Sequence, residues 1–303
     1  MATPSDITLG SLIGDSLALG PHWIYDQREI SEKLGRVTKY HPPMAKYHPG
    51  KAAGDFTHYG DQELVLLRSL VANGGFGLDA FAADWRAYWE DPATISYRDG
   101  ATKATLANLQ GGAAPAHAAS PSHDMAGAAR GGPLFLLKWD DEADLIAAAR
   151  ALAGFTHGDP AVIEAADFFT RVALAMRAGK STKVALQKTM ELGCWSAIPE
   201  AWLDKALESA DSGLTDAAAL DAHGLSCSVE DAFPGICHLL LRHPQDPAVA
   251  LMENATAGGD SAARGMILGM IHGAAFPVAD WPAEWLDGLR ARDEVMELIG
   301  KIS

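Results

Sequence analysis

Apolar residues recur at intervals of three and four along most of this chain, a period that predicts helices rather than strands. The pattern covers 7–19, 63–71, 78–89, 143–153, 161–176, 182–192, 230–241, 248–255, 264–274 and 283–299. Several of these runs open on a capping side chain or a first-turn proline, as at Ser5-Asp6, Asp140-Asp141, Asp159-Pro160, Ser181-Thr182 and Asp246-Pro247. No run reads as a strand ladder. The fold expected is all-α, a large compact helical bundle made as a single domain over residues 1–303. Alanine and glycine are frequent inside the helices, which predicts close approach of helix axes. Trp85, Tyr88 and Trp89 follow helical spacing and are read as core.

Polar interruptions of this pattern carry the candidate chemistry. Asp15 breaks an apolar stripe in Gly10-Ser11-Leu12-Ile13-Gly14-Asp15-Ser16, and Asp61 stands at a helix start in His58-Tyr59-Gly60-Asp61-Gln62. Near the end, Gly258-Gly259-Asp260-Ser261 opens another helix. The glycines there permit left-handed backbone, and Asp260 is read as an N-cap whose carboxylate faces free amides. Three carboxylates on different helices are expected to converge in the bundle, where they could hold a cation. Residues 36–59 form a long connection dense in aromatic and imidazole groups, as binding loops often are. Residues 110–122 read as a mobile, low-complexity loop, and 123–133 as a glycine-rich, ligand-hugging one containing His123, Asp124 and Arg130.

Each of these residues also has a structural reading. Asp15 is either a buried acid bonded to neighbouring helix ends or a member of a site. His157 is either a cap neighbour or a ligand-binding residue, and Arg264 can pair with Asp260 four positions earlier. Cys227 and Cys237 with His223, His238 and His243 lack zinc-binding spacing, so structural zinc is not expected.

The order of the three acidic segments resembles the ADP-ribosylglycohydrolase family: Gly-x-x-x-Gly-Asp at Gly10 to Asp15, an Asp in a helix start at Asp61, and Gly-Gly-Asp at Gly258 to Asp260. The likeness runs from about Leu9 to Ala275, and Thr156-His157 with Pro160 is similar to a family element at the edge of the cleft. The resemblance implies a central cleft and hydrolysis at the anomeric carbon of ribose, on an ADP-ribosylated side chain or a related small molecule. It implies Asp61 as the catalytic base and Asp260 as its catalytic partner. Asp15, His58, Tyr59, Gln62, His123, Asp124, Arg130, His157 and Arg264 would bind substrate, with phosphates received near Arg130.

Departures from the family pattern bear on the metal. Gly60-Asp61-Gln62-Glu63 stands where metal-dependent members carry Thr-Asp-Asp-Thr, and Asp260-Ser261-Ala262-Ala263 where they carry Asp-x-Asp-Thr. The substituted form is similar to the branch that includes the J-type lens crystallins. Two neighbouring divalent ions need several bridging carboxylates, and Asp61, Asp260 and Asp15 fall short of that. One weakly held Mg2+ on Asp61, Asp260 and Ser261, or none, is the expectation. Two alternatives stay open: a metal-independent ribosyl hydrolase using Asp61 and His58, and a non-catalytic member that binds a nucleotide-like ligand or is structural.

Bulk properties narrow the class further. With 303 residues, 48% of them hydrophobic, the chain can bury a large core, and its formal charge of −15 argues against nucleic-acid partners. An anionic substrate would therefore need local help. Three cysteines without framework spacing point to a reducing, cytoplasmic setting, and no apolar run is long enough for a membrane span. The oligomeric state is not specified.

Overall fold

Residues 1–302 are described by the computed structural model of the chain. They form sixteen α-helices: α1 (Pro4–Ala18), α2 (Gln27–Lys33), α3 (His58–Asn73), α4 (Leu78–Glu90), α5 (Gly100–Gln110), α6 (Ala126–Ala129), α7 (Glu142–Thr156), α8 (Pro160–Arg177), α9 (Thr182–Met190), α10 (Glu200–Ala210), α11 (Asp216–His223), α12 (Val229–Arg242), α13 (Pro247–Ala257), α14 (Ser261–Gly273), α15 (Ala283–Gly288) and α16 (Arg292–Ile302). Among the described residues there are no strands, only isolated bridges joining Ser120 to His157 and Asp124 to Ser228. None of these helices is long and apolar enough to cross a membrane.

The central pair is α1 and α14, nearly every residue of which is buried. Four glycines set their spacing. A Cβ on Gly10 would lie 2.3 Å from the Gly269 carbonyl oxygen, and one on Gly14 would lie 2.0 Å from that of Gly265. The backbones touch along this seam because no side chain intervenes, so Asp15 at the end of α1 and Asp260 at the start of α14 are fixed by one rigid contact. Buried apolar residues from Ile7 to Ile299 form one cluster around the pair, with α7 against α8, α10 against α12 and α3 against α4. Trp85 and Trp89 are fully buried in it, and Tyr88 packs on its edge.

Some expected elements differ. The single helix expected over 283–299 is two, α15 and α16, because Leu289 is extended and the Arg290 amide donates to the Gly54 carbonyl at 2.9 Å. Gly54, with φ +87°, permits this docking, since a Cβ there would meet the Gly288 oxygen at 2.1 Å. Helix α3 starts at His58, earlier than expected, capped by the Thr57 hydroxyl, which accepts from the Tyr59 amide. The expected mobile loop at 110–122 is tied down: Asn108 donates to the Ala118 carbonyl at 3.0 Å, and the Ser120 hydroxyl to that of Thr156 at 2.7 Å. Short helices α2, α5, α6, α10 and α11 had no counterpart in the expected pattern.

Candidate functional site

Asp15 joins α1 to the start of α3. Its carboxylate accepts from the Thr57 amide at 2.7 Å, the Thr57 hydroxyl at 2.5 Å and the Gly60 amide at 3.3 Å. Gly60 must be glycine for this, because a Cβ would lie 2.3 Å from Asp15 Oδ2. Burial raises the Asp15 pKa to about 6, against the lowering effect of the Thr57 hydrogen bonds. Of its two readings, the buried acid bonded to a neighbouring helix end is the one this geometry matches.

The carboxylate of Asp260 does not cap its own helix, contrary to expectation. Its Oδ2 accepts from Trp23 Nε1 at 3.0 Å and from the Tyr59 hydroxyl at 3.0 Å. That hydroxyl also lies 3.3 Å from Asp124 Oδ2, and ligand atoms of Asp124, Cys227 and Asp260 fall within 4.8 Å of one another. One phenolic proton cannot serve two acceptors. A protonated Asp124 donating to Tyr59, which in turn donates to Asp260, satisfies both contacts. Burial and then the Asp260 charge push the Asp124 pKa well above the carboxylate range. Burial also raises Asp260, but its hydrogen bond from Trp23, the Arg264 charge and the Tyr59 bond hold it back. Burial keeps Tyr59 a neutral phenol.

Trp23 connects this pair to a second cluster. Its backbone sits at φ +63°, unusual outside glycine, and is held by hydrogen bonds of 2.8 Å from the Trp23 amide to the Gly259 carbonyl and from the Gly259 amide to the Ile24 carbonyl. Gly258 (φ +71°) and Gly259 (φ +64°) thus have a backbone task. The indole stacks on His22 and His48 at centroid distances of 4.5 and 5.3 Å and meets Tyr47 and Tyr97 edge-on at 5.1 and 5.3 Å. Beside these rings is a cavity of about 420 Å³ whose wall includes Tyr47, His48, Lys51, Tyr97, Arg98 and Lys103. Its cations supply locally what the net charge lacks.

Asp61 faces this second region. Both of its oxygens lie 2.7 Å from Lys51 Nζ, and Ser96 donates to it at 2.6 Å. Burial still raises its pKa despite the Lys51 charge. Asp61 and Asp260 have separate sets of hydrogen-bond partners, so the three acids do not share one set of contacts. Ser261 Oγ and Asp260 Oδ1 are buried without hydrogen-bond partners.

Several expected binding residues are engaged elsewhere. Gln62 Oε1 accepts from Trp85 Nε1 at 2.8 Å and Arg130 Nη1 at 2.6 Å, while Arg130 Nη2 donates to the Thr156 hydroxyl at 2.5 Å. Arg130 is buried there and braces helices, and the segment expected as a ligand-hugging loop is the short helix α6 followed by a 3-10 turn. His157 is buried against Gly127 with Nδ1 2.8 Å from the Thr156 hydroxyl, and burial lowers its pKa to about 3. The ring of His123 is exposed; its carbonyl accepts from the Val229 amide. Arg264 makes no ion pair with Asp260; it donates to Asn254 Oδ1 at 3.0 Å and to the Gly258 carbonyl at 2.5 Å, fixing the turn before α14. His238 and His243 both bond Asp216, while His223 and His238 share Ser209. Residues not assigned to a site from the sequence are His22, Trp23, Lys51, Tyr97 and Asp99, with His48 noted only within the ring-dense connection at 36–59 and Cys227 only as lacking zinc-binding spacing. The density of rings in Pro21-His22-Trp23-Ile24-Tyr25, directly after a helix, was the available signal.

Comparison with known proteins places this all-helical body with acids at helix starts. Residues 6–303 match the ADP-ribosylglycohydrolase family, and the chain belongs to that family. Crystallin J1A and Crystallin J1B of Tripedalia cystophora are each 32% identical over 79 residues, which cover 24% of this chain and 23% of theirs. A solved structure titled ADP-ribosylglycohydrolase-related protein complex superposes with a TM-score of 0.74 at 19% identity, covering 99% of this chain and 97% of that one, and so shares the fold. Members of the family typically depend on a metal. The residues around Asp61 do not fit a carboxylate-bound ion: Lys51 already neutralises Asp61, and the Gln62 carbonyl oxygen is taken by Trp85 and Arg130.

Proposed function

We propose that this protein hydrolyses a ribosyl N- or O-glycosidic bond, on an ADP-ribosylated side chain or a related small molecule, without a two-metal centre. The observation that carries this reading is the Tyr59 hydroxyl set between Asp124 and Asp260. Two carboxylates whose surroundings push their pKa values apart can divide acid and base roles. Asp124, held protonated, donates to the leaving group; Asp260, held closer to ionisation, activates water and steadies the cation-like sugar. Asp61, paired with Lys51, then positions that lysine rather than acting as the base. The cavity beside Trp23 supports an anionic, aromatic substrate, with Tyr47 and Tyr97 for a base and Lys51, Arg98 and Lys103 for phosphates. Its three free thiols support a cytoplasmic setting.

The test is release of ADP-ribose from ADP-ribosylated arginine or serine peptides. Activity without added Mg2+, reduced at least ~100-fold in both Asp124→Asn and Asp260→Asn, is the expected result. Turnover that survives either substitution, or that appears only with Mg2+, overturns it. The lysine on Asp61 also favours a second reading, a member that binds a nucleotide-like ligand without turnover. Calorimetric binding of ADP-ribose with no product formed would select that reading.

A further inference from the structure

His22, His48 and His58 come from three separate chain segments, and each presents a ring nitrogen within 4.8 Å of the others. All three side chains are buried. His22 Nε2 and both nitrogens of His48 and His58 have no hydrogen-bond partner. A neutral imidazole always carries one N–H donor, so three such rings packed together leave donors and lone pairs unsatisfied, at about 1–3 kcal/mol for each buried orphan. An arrangement of this kind is stable when something sits between the rings.

We propose that these three histidines form a site for a late first-row divalent cation of the Zn2+ class, one that uses imidazole in place of carboxylate ligands. The donor set suits such an ion and is wrong for Mg2+, which prefers oxygen. Nitrogens bound at about 2.1 Å to a tetrahedral ion stand about 3.4 Å apart, so a small inward rotation from the present spacing closes the site. His58 Nε2 lies 3.2 Å from Asp99 Oδ2, and Asp99 is itself anchored by the Thr102 amide at 2.6 Å. A small turn of the ring that makes this contact a hydrogen bond would leave Nδ1 for the ion, the carboxylate–histidine–metal arrangement that fixes a ligand's tautomer. His22 Nδ1 accepts only a long, 3.4 Å hydrogen bond from the Ala262 amide, and Nε2 has no partner, so the ring is free to turn either nitrogen to the ion. Trp23 stacked on His22 and His48, and Tyr59 at 4.0 Å from the His58 ring, wall the site. Three protein ligands leave the fourth position of a tetrahedral ion for water.

The site stands independently of the proposed hydrolysis, and its test is binding. Chelator-treated full-length protein is titrated with Zn2+ by calorimetry and with Co2+ by visible absorption. One ion per chain with a tetrahedral Co2+ spectrum is expected, and His48→Gln and His58→Gln each weaken binding at least ~10-fold. His243→Gln, in the other histidine cluster, leaves binding unchanged. Because a buried histidine variant can misfold, X-ray absorption of the Zn2+-loaded wild type gives an independent readout, a first shell of nitrogen and oxygen with imidazole scattering. Absence of Zn2+ binding by the wild type overturns the proposal. So does sulfur in the first shell, which would place the ion at Cys227.

Discussion

Replacing Gly14 by alanine tests whether the seam between α1 and α14 is what positions the acids. The new Cβ would lie 2.0 Å from the Gly265 oxygen, whereas ordinary contact begins at 3.4 Å. The helices must therefore part locally by about 1.4 Å, the difference of those distances. The obstacle is backbone, which has no rotamer to escape into, so the upper part of the usual 1–3 kcal/mol overpacking cost applies, about 3 kcal/mol. Against a total stability of about 5–15 kcal/mol, that lowers the midpoint of thermal unfolding by about 5 °C for a chain of this size. Gly100→Ala is the control. Gly100 opens α5 with no neighbour near the added Cβ, and alanine there is expected to leave stability unchanged or slightly raised. Calorimetric melts of both variants decide the matter. If Gly14→Ala melts with Gly100→Ala, the seam is not rigid and the account of how Asp15 and Asp260 are fixed fails.

Two further outcomes follow from buried acids. Asp15 is raised in the folded state from 3.8 to about 6, so it contributes stability that is present below the unfolded pKa and lost as pH rises through the folded one. The stability difference between wild type and Asp15→Asn, from urea melts at successive pH values, should shift against the wild type by about 3 kcal/mol between pH ~4 and ~6; a flat difference refutes the assignment. Glu164 gathers a loop by accepting from the amides of Ser196, Ala197 and Ile198 and from the Ser196 hydroxyl. Glu164→Ala is expected to lose about 2–3 kcal/mol in urea unfolding, with faster amide exchange confined to those residues; global exchange with no local signature would contradict it.

How much of this was legible in the sequence depends on how local each cause is. The long stripes of α1, α8, α12 and α14 were readable because many apolar positions repeat and a cap or proline marks several of the starts. Helices α10 and α11 were not: each is short, with few buried residues to set a period, and neighbours supply the rest. Asp15, Asp61 and Asp260 stood out as charges inside apolar patterns, but their partners did not. Lys51 on Asp61, Arg130 on Gln62 and Trp23 on Asp260 are contacts between distant segments. The left-handed turn at Trp23 has no signature in a residue that rarely adopts it.

The same contacts explain why a family fold persists with its acidic pattern thinned. A buried carboxylate needs a compensating charge or several donors, whatever supplies them. Where a divalent ion would neutralise Asp61, the ammonium of Lys51 lies within 2.7 Å of both oxygens, and Ser96 adds a donor. Where the family pattern has a second acid, Gln62 is neutral and holds the guanidinium of Arg130 against Thr156. Asp260 replaces a cation with two side-chain donors, Trp23 and Tyr59. The chain itself thus supplies donors to Asp61 and to one oxygen of Asp260, while Asp260 Oδ1 stays without a partner. The region around Trp23 collects imidazoles, and the nitrogens they leave unpaired lie one stacked ring away from Asp260, to which Trp23 Nε1 donates at 3.0 Å.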